Sequence, residues 1–254
     1  MIFQNFGFNR QRVVGAAAPS FNYVTSGAQV IYDFGNTASY PGSGTTVYDV
    51  SGNSGPSATL QNSPTFSSSN GGIMQFAQAS SQYWDFTGTI ASSATFMYIW
   101  KNTDATNQFY YGYPTKLGAY GYILTMDIGG SPFNKQLAAI PFSNTGAGTT
   151  FSNAYVGPAD ITIFHAYSSV VESISSTSTT VTNYIDDGST LSASENKNFN
   201  RTGGPSTSAT IYLNRDTQVG DRYANGACMA YLQYDRALSQ SEIAQNYNVF
   251  ASRF

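Results

Sequence analysis

Carboxylates, one histidine and clustered tyrosines are the side chains in this sequence with the chemistry to form a site. Retaining glycoside hydrolysis needs two carboxyl groups about 5–5.5 Å apart, which residues i and i+2 or i+4 on one strand face supply. The three glutamates, Glu172, Glu195 and Glu242, are far apart, and no Glu-x-Asp-x-x-Glu pattern occurs. His165 is the only histidine. It stands in Asp160-Ile-Thr-Ile-Phe-His-Ala-Tyr167, alternating with Ile163 and Tyr167 on a predicted strand. That position favours a hydrogen-bonded strand histidine over a general base. The members of a Ser-His-Asp triad can come from distant parts of a chain, but no nucleophile motif accompanies His165. One histidine and one cysteine, Cys228, do not make a structural zinc site. The expectation is a protein that is not an enzyme.

The tyrosines offer binding instead. Phe109-Tyr110-Tyr111-Gly112-Tyr113, with Tyr120 and Tyr122, is the candidate contact for a glycan or another protein. A tyrosine joins an apolar ring to a hydroxyl and is enriched at interfaces. Strand packing or a protein interface is the stronger reading of that run. Trp84 and Trp100 are expected in the core.

A second candidate contact lies in residues 1–28, which hold Arg10 and Arg12 and no acid, the first carboxylate being Asp33. Phe3, Phe6, Phe8, Phe21 and Tyr23 recur there with no regular period. The segment reads either as a tail or edge strand, or as a docking arm whose aromatics anchor it on a partner. Val13-Val-Gly-Ala-Ala-Ala18 is shorter than the roughly 7–15 apolar residues of a signal-peptide core. An unprocessed arm, and assembly in a cytoplasm, are therefore expected.

From residue 29 to 254 the composition is that of one large β domain. Of 254 residues, 15% are aromatic and 10% charged, against about 25% charged in ordinary soluble domains. Strand-like runs alternate with turn clusters such as Tyr40-Pro-Gly-Ser-Gly44 and Ser51-Gly-Asn-Ser-Gly-Pro56. Strands are predicted near 30–34, 72–76, 82–86, 94–101, 121–128, 136–142, 160–171, 179–185, 190–193, 209–214 and 228–234. Asp186-Asp187-Gly188 is a hairpin signal between two of them. Many short strands between turns predict an all-β, two-sheet antiparallel sandwich. The net charge of −3 gives no electrostatic case for nucleic acid. No apolar run approaches the ~18 residues of a membrane helix. The single cysteine allows no intrachain disulfide.

One helix closes the chain. Ser239 stands at an N-cap with Glu242 three residues on, the capping-box spacing, and Leu238 and Ile243 can staple the entry. Ile243, Tyr247 and Phe250 form an apolar face. Asp235 and Glu242 look like an acid pair, but the cap accounts for Glu242.

The run Tyr40-Pro-Gly-Ser-Gly-Thr-Thr-Val-Tyr48-Asp49-Val-Ser51-Gly52-Asn53 resembles the opening signature of laminin-G-like domains in the concanavalin A-like lectin/glucanase superfamily. Leu60 to Phe66, Gly71 to Phe76 and Tyr184-Ile-Asp-Asp-Gly188 continue the likeness, and Tyr234 to Tyr247 matches its closing strand and helix. It covers roughly residues 30–254. The resemblance implies a jelly roll of the type found in structural proteins of tailed bacteriophages, located in the virion. The leading expectation is a capsid decoration protein docked through Phe3, Phe6, Phe8, Arg10 and Arg12 on other virion proteins, above all the major capsid protein. The alternative is a module of a tail or fibre protein that binds a cell-surface glycan. A divergent glycoside hydrolase is the third reading, and a homo-oligomer is open. Tyr111 and Tyr113 are the expected glycan contacts. No cofactor is required; calcium is the cation the resemblance raises, with Asp33 and Asp235 on neighbouring terminal strands. Asp49, Gly52, Asn53 and Gly55 are read as turn-shaping residues.

Overall fold

The computed structural model describes residues 21–89, 91, 93–103, 122–127, 136–141, 160, 162–173, 179–186, 189–190, 195–197, 209–216 and 222–254. Most of the predicted segments form strands close to their bounds, and short strands at 46–47, 58–61, 65–67, 195–197, 215–216 and 222–223 add to them. In chain order these are β1 (Ala28–Asp33), β2 (Thr46–Val47), β3 (Ala58–Gln61), β4 (Thr65–Ser67), β5 (Ile73–Phe76), β6 (Tyr83–Gly88), β7 (Ala94–Asn102), β8 (Tyr122–Asp127) and β9 (Gln136–Pro141). There follow β10 (His165–Ser173), β11 (Thr179–Ile185), β12 (Ser189–Thr190), β13 (Glu195–Lys197), β14 (Ala209–Leu213), β15 (Arg215–Asp216), β16 (Arg222–Tyr223) and β17 (Gly226–Tyr234). The helix α1 (Gln240–Ala251) ends the fold.

The large sheet runs β12-β11-β10-β7-β17-β5-β4, with β1 also on β17 and β13 also on β11. The small sheet runs β14-β6-β3-β2. All pairings in both sheets are antiparallel. β8–β9 and β15–β16 form two-stranded ribbons.

The period-2 alternation explains the layering. Trp84 and Phe86 of β6, Leu60 of β3, and Ile211 and Leu213 of β14 point inward. They meet Tyr32, Phe96, Tyr98, Trp100, Tyr167 and Tyr231 of the large sheet. Trp84 and Trp100 are buried, as expected. The large sheet is apolar on its other face too, where Ile31, Met97, Ile99, Val170, Met229 and Leu232 pack with Ile243 and Phe250 of α1. Strand β17 is therefore buried at all nine of its residues, the pattern of a central strand covered on both faces.

Helix α1 begins where the capping box predicts. Ser239 Oγ accepts from Glu242 N, and Glu242 Oε2 accepts from Ser239 N at 2.8 Å. Leu238 and Ile243 are both buried in the helix-side cluster. Arg236 donates to both carboxylate oxygens of Glu242, at 3.0 and 2.6 Å. That fork, with the cap, lowers the Glu242 carboxyl to about pKa 2, and the residue belongs to fold rather than chemistry.

Residues 21–27 pack on the same helix face. Tyr23 and Val24 are buried, and Val24 N donates to Asn246 Oδ1 at 2.9 Å. The arm residues Phe3, Phe6, Phe8, Arg10 and Arg12 lie outside the described residues.

Candidate functional site

Strand direction defines two ends of the sandwich. At one end β7 finishes at Asn102, opposite Gly226 where β17 starts. There too His165 opens β10 opposite Trp100, and Leu213 of β14 pairs with Trp84 near the start of β6. The described segments 77–82, 103, 162–164, 186, 214–216 and 222–225 lie beyond the two sheets here, and we call it the loop end.

Four buried side chains of the loop end hold polar atoms without a hydrogen-bond partner: Trp84 Nε1, Asn102 Nδ2, Tyr167 OH and Asn214 Nδ2. Among the described residues the one other such atom is Ser168 Oγ. They surround a polar seam between the sheets, where Tyr98 OH donates to Asn214 Oδ1 and Trp100 Nε1 donates to Asn102 Oδ1 at 2.8 Å. The Tyr98 ring stacks on Trp100. Burial pushes the Tyr98 hydroxyl and the Cys228 thiol far above their ordinary values, so Cys228 is held as the inert thiol.

The outer face of the small sheet at this end is different in kind. Inward Trp84 and Phe86 leave Tyr83 and Asp85 facing out, and inward Ile211 and Leu213 do the same for Tyr212. Register brings them together: Tyr212 pairs with Asp85, Asp85 with Thr59, and Tyr83 with Gln61. The Tyr83 ring lies 6.0 Å from both Tyr212 and Tyr223. The Arg215 guanidinium sits 4.8 Å from the Tyr83 ring centre and 5.1 Å from that of Tyr212, within cation–π range. Asp85 meets Gln61 Nε2 through long contacts of 3.4 Å to each carboxylate oxygen. Burial raises its pKa, against smaller lowering influences from Gln61 and Arg215. The result is a half-buried face of three tyrosines, a carboxylate, an amide and a guanidinium, bordered by Thr59, Thr87 and Thr210.

His165 forms the third feature. Its Nδ1 lies 2.9 Å from Asp186 Oδ2 and its Nε2 2.9 Å from the Asp160 carbonyl oxygen. Asp186 Oδ1 also accepts from Ala166 N. Burial alone would lower the histidine's pKa; the Asp186 hydrogen bond, the Asp160 carbonyl and the two acidic charges outweigh it and raise the value. The strand predicted over 160–171 begins only at His165. Asp160 Oδ1 instead accepts from Thr162 N and Oγ1, a local turn that displaces strand pairing. Ile163 is exposed and does not share a strand face with His165. Both ring nitrogens are engaged, as expected of a structural histidine.

Away from the loop end the polar residues are consumed by the backbone. Asp49 Oδ1 accepts from Ile31 N and Ser51 N, and Oδ2 from Ser51 Oγ and Gly55 N, at 2.6–2.9 Å. Asn53 Nδ2 donates to the Thr25 and Ala28 carbonyls. Gly52 has φ +81°, as read from the sequence, but the other positive φ of this turn falls on Ser54. Gly55 is required for close approach, since a Cβ there would meet the Gln29 carbonyl at 2.2 Å. Asp33 and Asp235 do not converge: Asp33 lies opposite Ala230, whereas Asp235 follows the far end of β17. Asp33 is held by Arg253 at 2.8 and 3.0 Å, by Tyr23 OH at 2.7 Å and by Gly35 N at 2.7 Å. Among the described residues no group of three or more His, Cys, Asp or Glu gathers as metal ligands would, and no helix is long and apolar enough to cross a membrane.

Tyr110, Tyr111, Tyr113 and Tyr120 lie outside the described residues. Tyr122 opens β8 opposite Pro141. Sequence reasoning missed Tyr83, Asp85, Tyr212, Arg215 and Tyr223. The alternation Tyr-Trp-Asp-Phe of β6 shows which residues face out, but nothing local shows that β14 pairs with β6.

The architecture is a two-sheet antiparallel jelly-roll sandwich closed by a C-terminal helix. No protein-family model and no curated protein sequence matches the chain. Solved structures do match in fold. Domain 4 of AbnA, an extracellular GH43 arabinanase of Geobacillus stearothermophilus solved with arabinotriose, aligns at TM-score 0.57 and 12% identity over 87% of this chain and 98% of that one. Trypanosoma rangeli sialidase aligns at TM-score 0.56 and 14% identity over 88% of this chain. The binding domain of Paraclostridial Mosquitocidal Protein 1 gives TM-score 0.56 and 14% identity over 89% of this chain. The chain spans 33% of the sialidase and 53% of the mosquitocidal binding domain.

Proposed function

We propose that this protein is a non-enzymatic, saccharide-binding jelly roll that serves as a structural component of a bacteriophage particle. The observation that carries the binding half is the outer face at the loop end, where three tyrosine rings flank a weakly engaged carboxylate–amide pair. The likeness to domain 4 of AbnA, a domain of almost the same extent solved with arabinotriose, supports it. The virion half rests on the opening and closing signatures of the sequence. A non-catalytic role accords with the engagement of Glu242 by Arg236 and of His165 by two acceptors. A glycan array probed with the full chain tests the reading: saccharide binding is the expected outcome, and a blank array carrying arabinotriose and other neutral oligosaccharides sinks it.

A capsid decoration role is the second reading, and one observation favours it. Phe21, the first described residue, packs on the helix-side cluster, on the face of the large sheet opposite the small sheet. Docking by Phe3, Phe6, Phe8, Arg10 and Arg12 on a capsid protein and saccharide binding on the outer face of the small sheet use different residues, and the two roles are compatible in one virion protein. A variant lacking residues 1–20 is expected to lose occupancy on capsids; normal occupancy removes the docking arm from the account.

A further inference from the structure

We infer that the saccharide subsite is the outer face of β14, β6 and β3 at the loop end, formed by Tyr83, Tyr212 and Tyr223 beside Asp85 and Gln61, and that it takes a neutral oligosaccharide. The inference rests on the saccharide-binding reading above.

Each class of ligand makes a different demand on these groups. An apolar ligand would cover Asp85 and Gln61 and leave them without partners, and a buried unpaired carboxylate is costly. An anionic ligand would bring like charge to Asp85, and the Arg215 guanidinium that could draw it is already stacked over the Tyr83 and Tyr212 rings. A neutral polyol satisfies the whole set. Vicinal hydroxyls donate to the two Asp85 oxygens, which now have only 3.4 Å contacts with Gln61. The Gln61 amide is close enough to share the same hydroxyls as donor. The carbon-bound hydrogens of a pyranose or furanose ring then lie on tyrosine, a pairing of apolar ring with apolar ring.

The rings suit this because they are fixed in advance. Tyr83 is braced by Tyr212, Tyr223 and Arg215, and its strand is held by pairing on both edges. Preorganised aromatics lose little conformational entropy on binding. The carboxylate supplies a direction as well. Its raised pKa means that it protonates sooner on acidification than an ordinary aspartate, and protonation turns one of its acceptor oxygens into a donor. Binding therefore weakens toward acid pH.

The experiment uses the full chain on an array of neutral and acidic oligosaccharides that includes arabinotriose, with affinities for the strongest hit from calorimetry. Asp85→Asn keeps shape and removes charge; Tyr212→Ala removes a ring; Gln61→Ala removes the amide; Tyr48→Ala is an exposed control on another part of the surface. Wild type is expected to bind neutral glycans, with Asp85→Asn and Tyr212→Ala weaker by about ten- to a hundredfold and Tyr48→Ala unchanged. Near-ultraviolet circular dichroism identifies any variant that has lost its packing, and Gln61→Ala, with no buried ring, then carries the comparison. If wild type binds and the variants bind equally well, the subsite is overturned while the saccharide reading stands. Preference for acidic glycans overturns the ligand class. A wild type that binds nothing overturns both.

Discussion

The surroundings of β1 and the loop end are built from the same residue types and treat them in opposite ways. Around β1, each named carboxylate is saturated. Asp49 accepts four hydrogen bonds, Asp33 is held by an arginine, a tyrosine and a backbone amide, and Asn53 ties the preceding segment to the Asp49 turn. At the loop end, Asp85 has only long contacts, and four buried side-chain polar atoms have no protein partner. A saturated polar group stabilises a conformation and has nothing left for a ligand. An unsaturated one costs folding free energy and persists where something else uses it. Substitutions around β1 should therefore change stability without touching binding, and those on the loop-end face should do the reverse.

The largest expected effect is at Arg253. It joins α1 to the edge of the large sheet through Asp33 and the carbonyls of Asn70 and Gly72. Arg253→Ala leaves the wholly buried Asp33 without its counter-charge, a change that costs about 3–5 kcal/mol. Denaturant unfolding measures it, and a loss under about 1 kcal/mol would show that the pair is not the clamp it looks like. Asp49→Ala comes next. It strands the amides of Ile31 and Gly55, for an expected loss of about 2–3 kcal/mol. Saccharide affinity of the folded fraction should not move in either variant; if it does, the two regions are coupled and the contrast is too simple.

The contrast also separates what sequence could and could not reveal. The capping box at Ser239 and Glu242, the Asp49 turn and the existence of strand β17 were readable because each shows in residues close together in the chain. The Asp160–Val171 run misled, because Asp160 had a closer partner in Thr162 than any strand offered. The loop-end face was hidden for another reason. Tyr83 and Tyr212 are 129 positions apart (212 minus 83), and only antiparallel pairing of β14 with β6 makes them neighbours. The tyrosine run at 109–113 attracted attention because its members are contiguous, whereas a sheet assembles a surface from alternate residues of distant strands.

His165 combines the two regimes, being a saturated group at the loop end, and it gives the smallest effect with the cleanest readout. Both acceptors facing it lack hydrogens to donate: Asp186 as a carboxylate and Asp160 as a backbone carbonyl. Two such partners at 2.9 Å favour hydrogens on both ring nitrogens, the imidazolium form. The neighbouring groups on the described elements are Tyr167 on β10, with ring centres 5.9 Å apart, and Trp100 across on β7, while the adjacent Lys101 lies over Phe164. Lys101 is the cation among them, and its ammonium is directed over the Phe164 ring, while the negative charges of Asp186 and Asp160 favour the imidazolium. The folded pKa is therefore above the unfolded value of about 6.5. The sign follows: the clasp contributes fully below about pH 6.5 and is lost as pH rises through the folded pKa. As the only histidine, it gives a single imidazole resonance to follow by NMR. The midpoint should lie above 6.5 in wild type and fall in Asp186→Asn, where the charge is gone and the shape kept. A wild-type midpoint below 6.5 would show that burial outweighs the two acceptors and would overturn the imidazolium clasp.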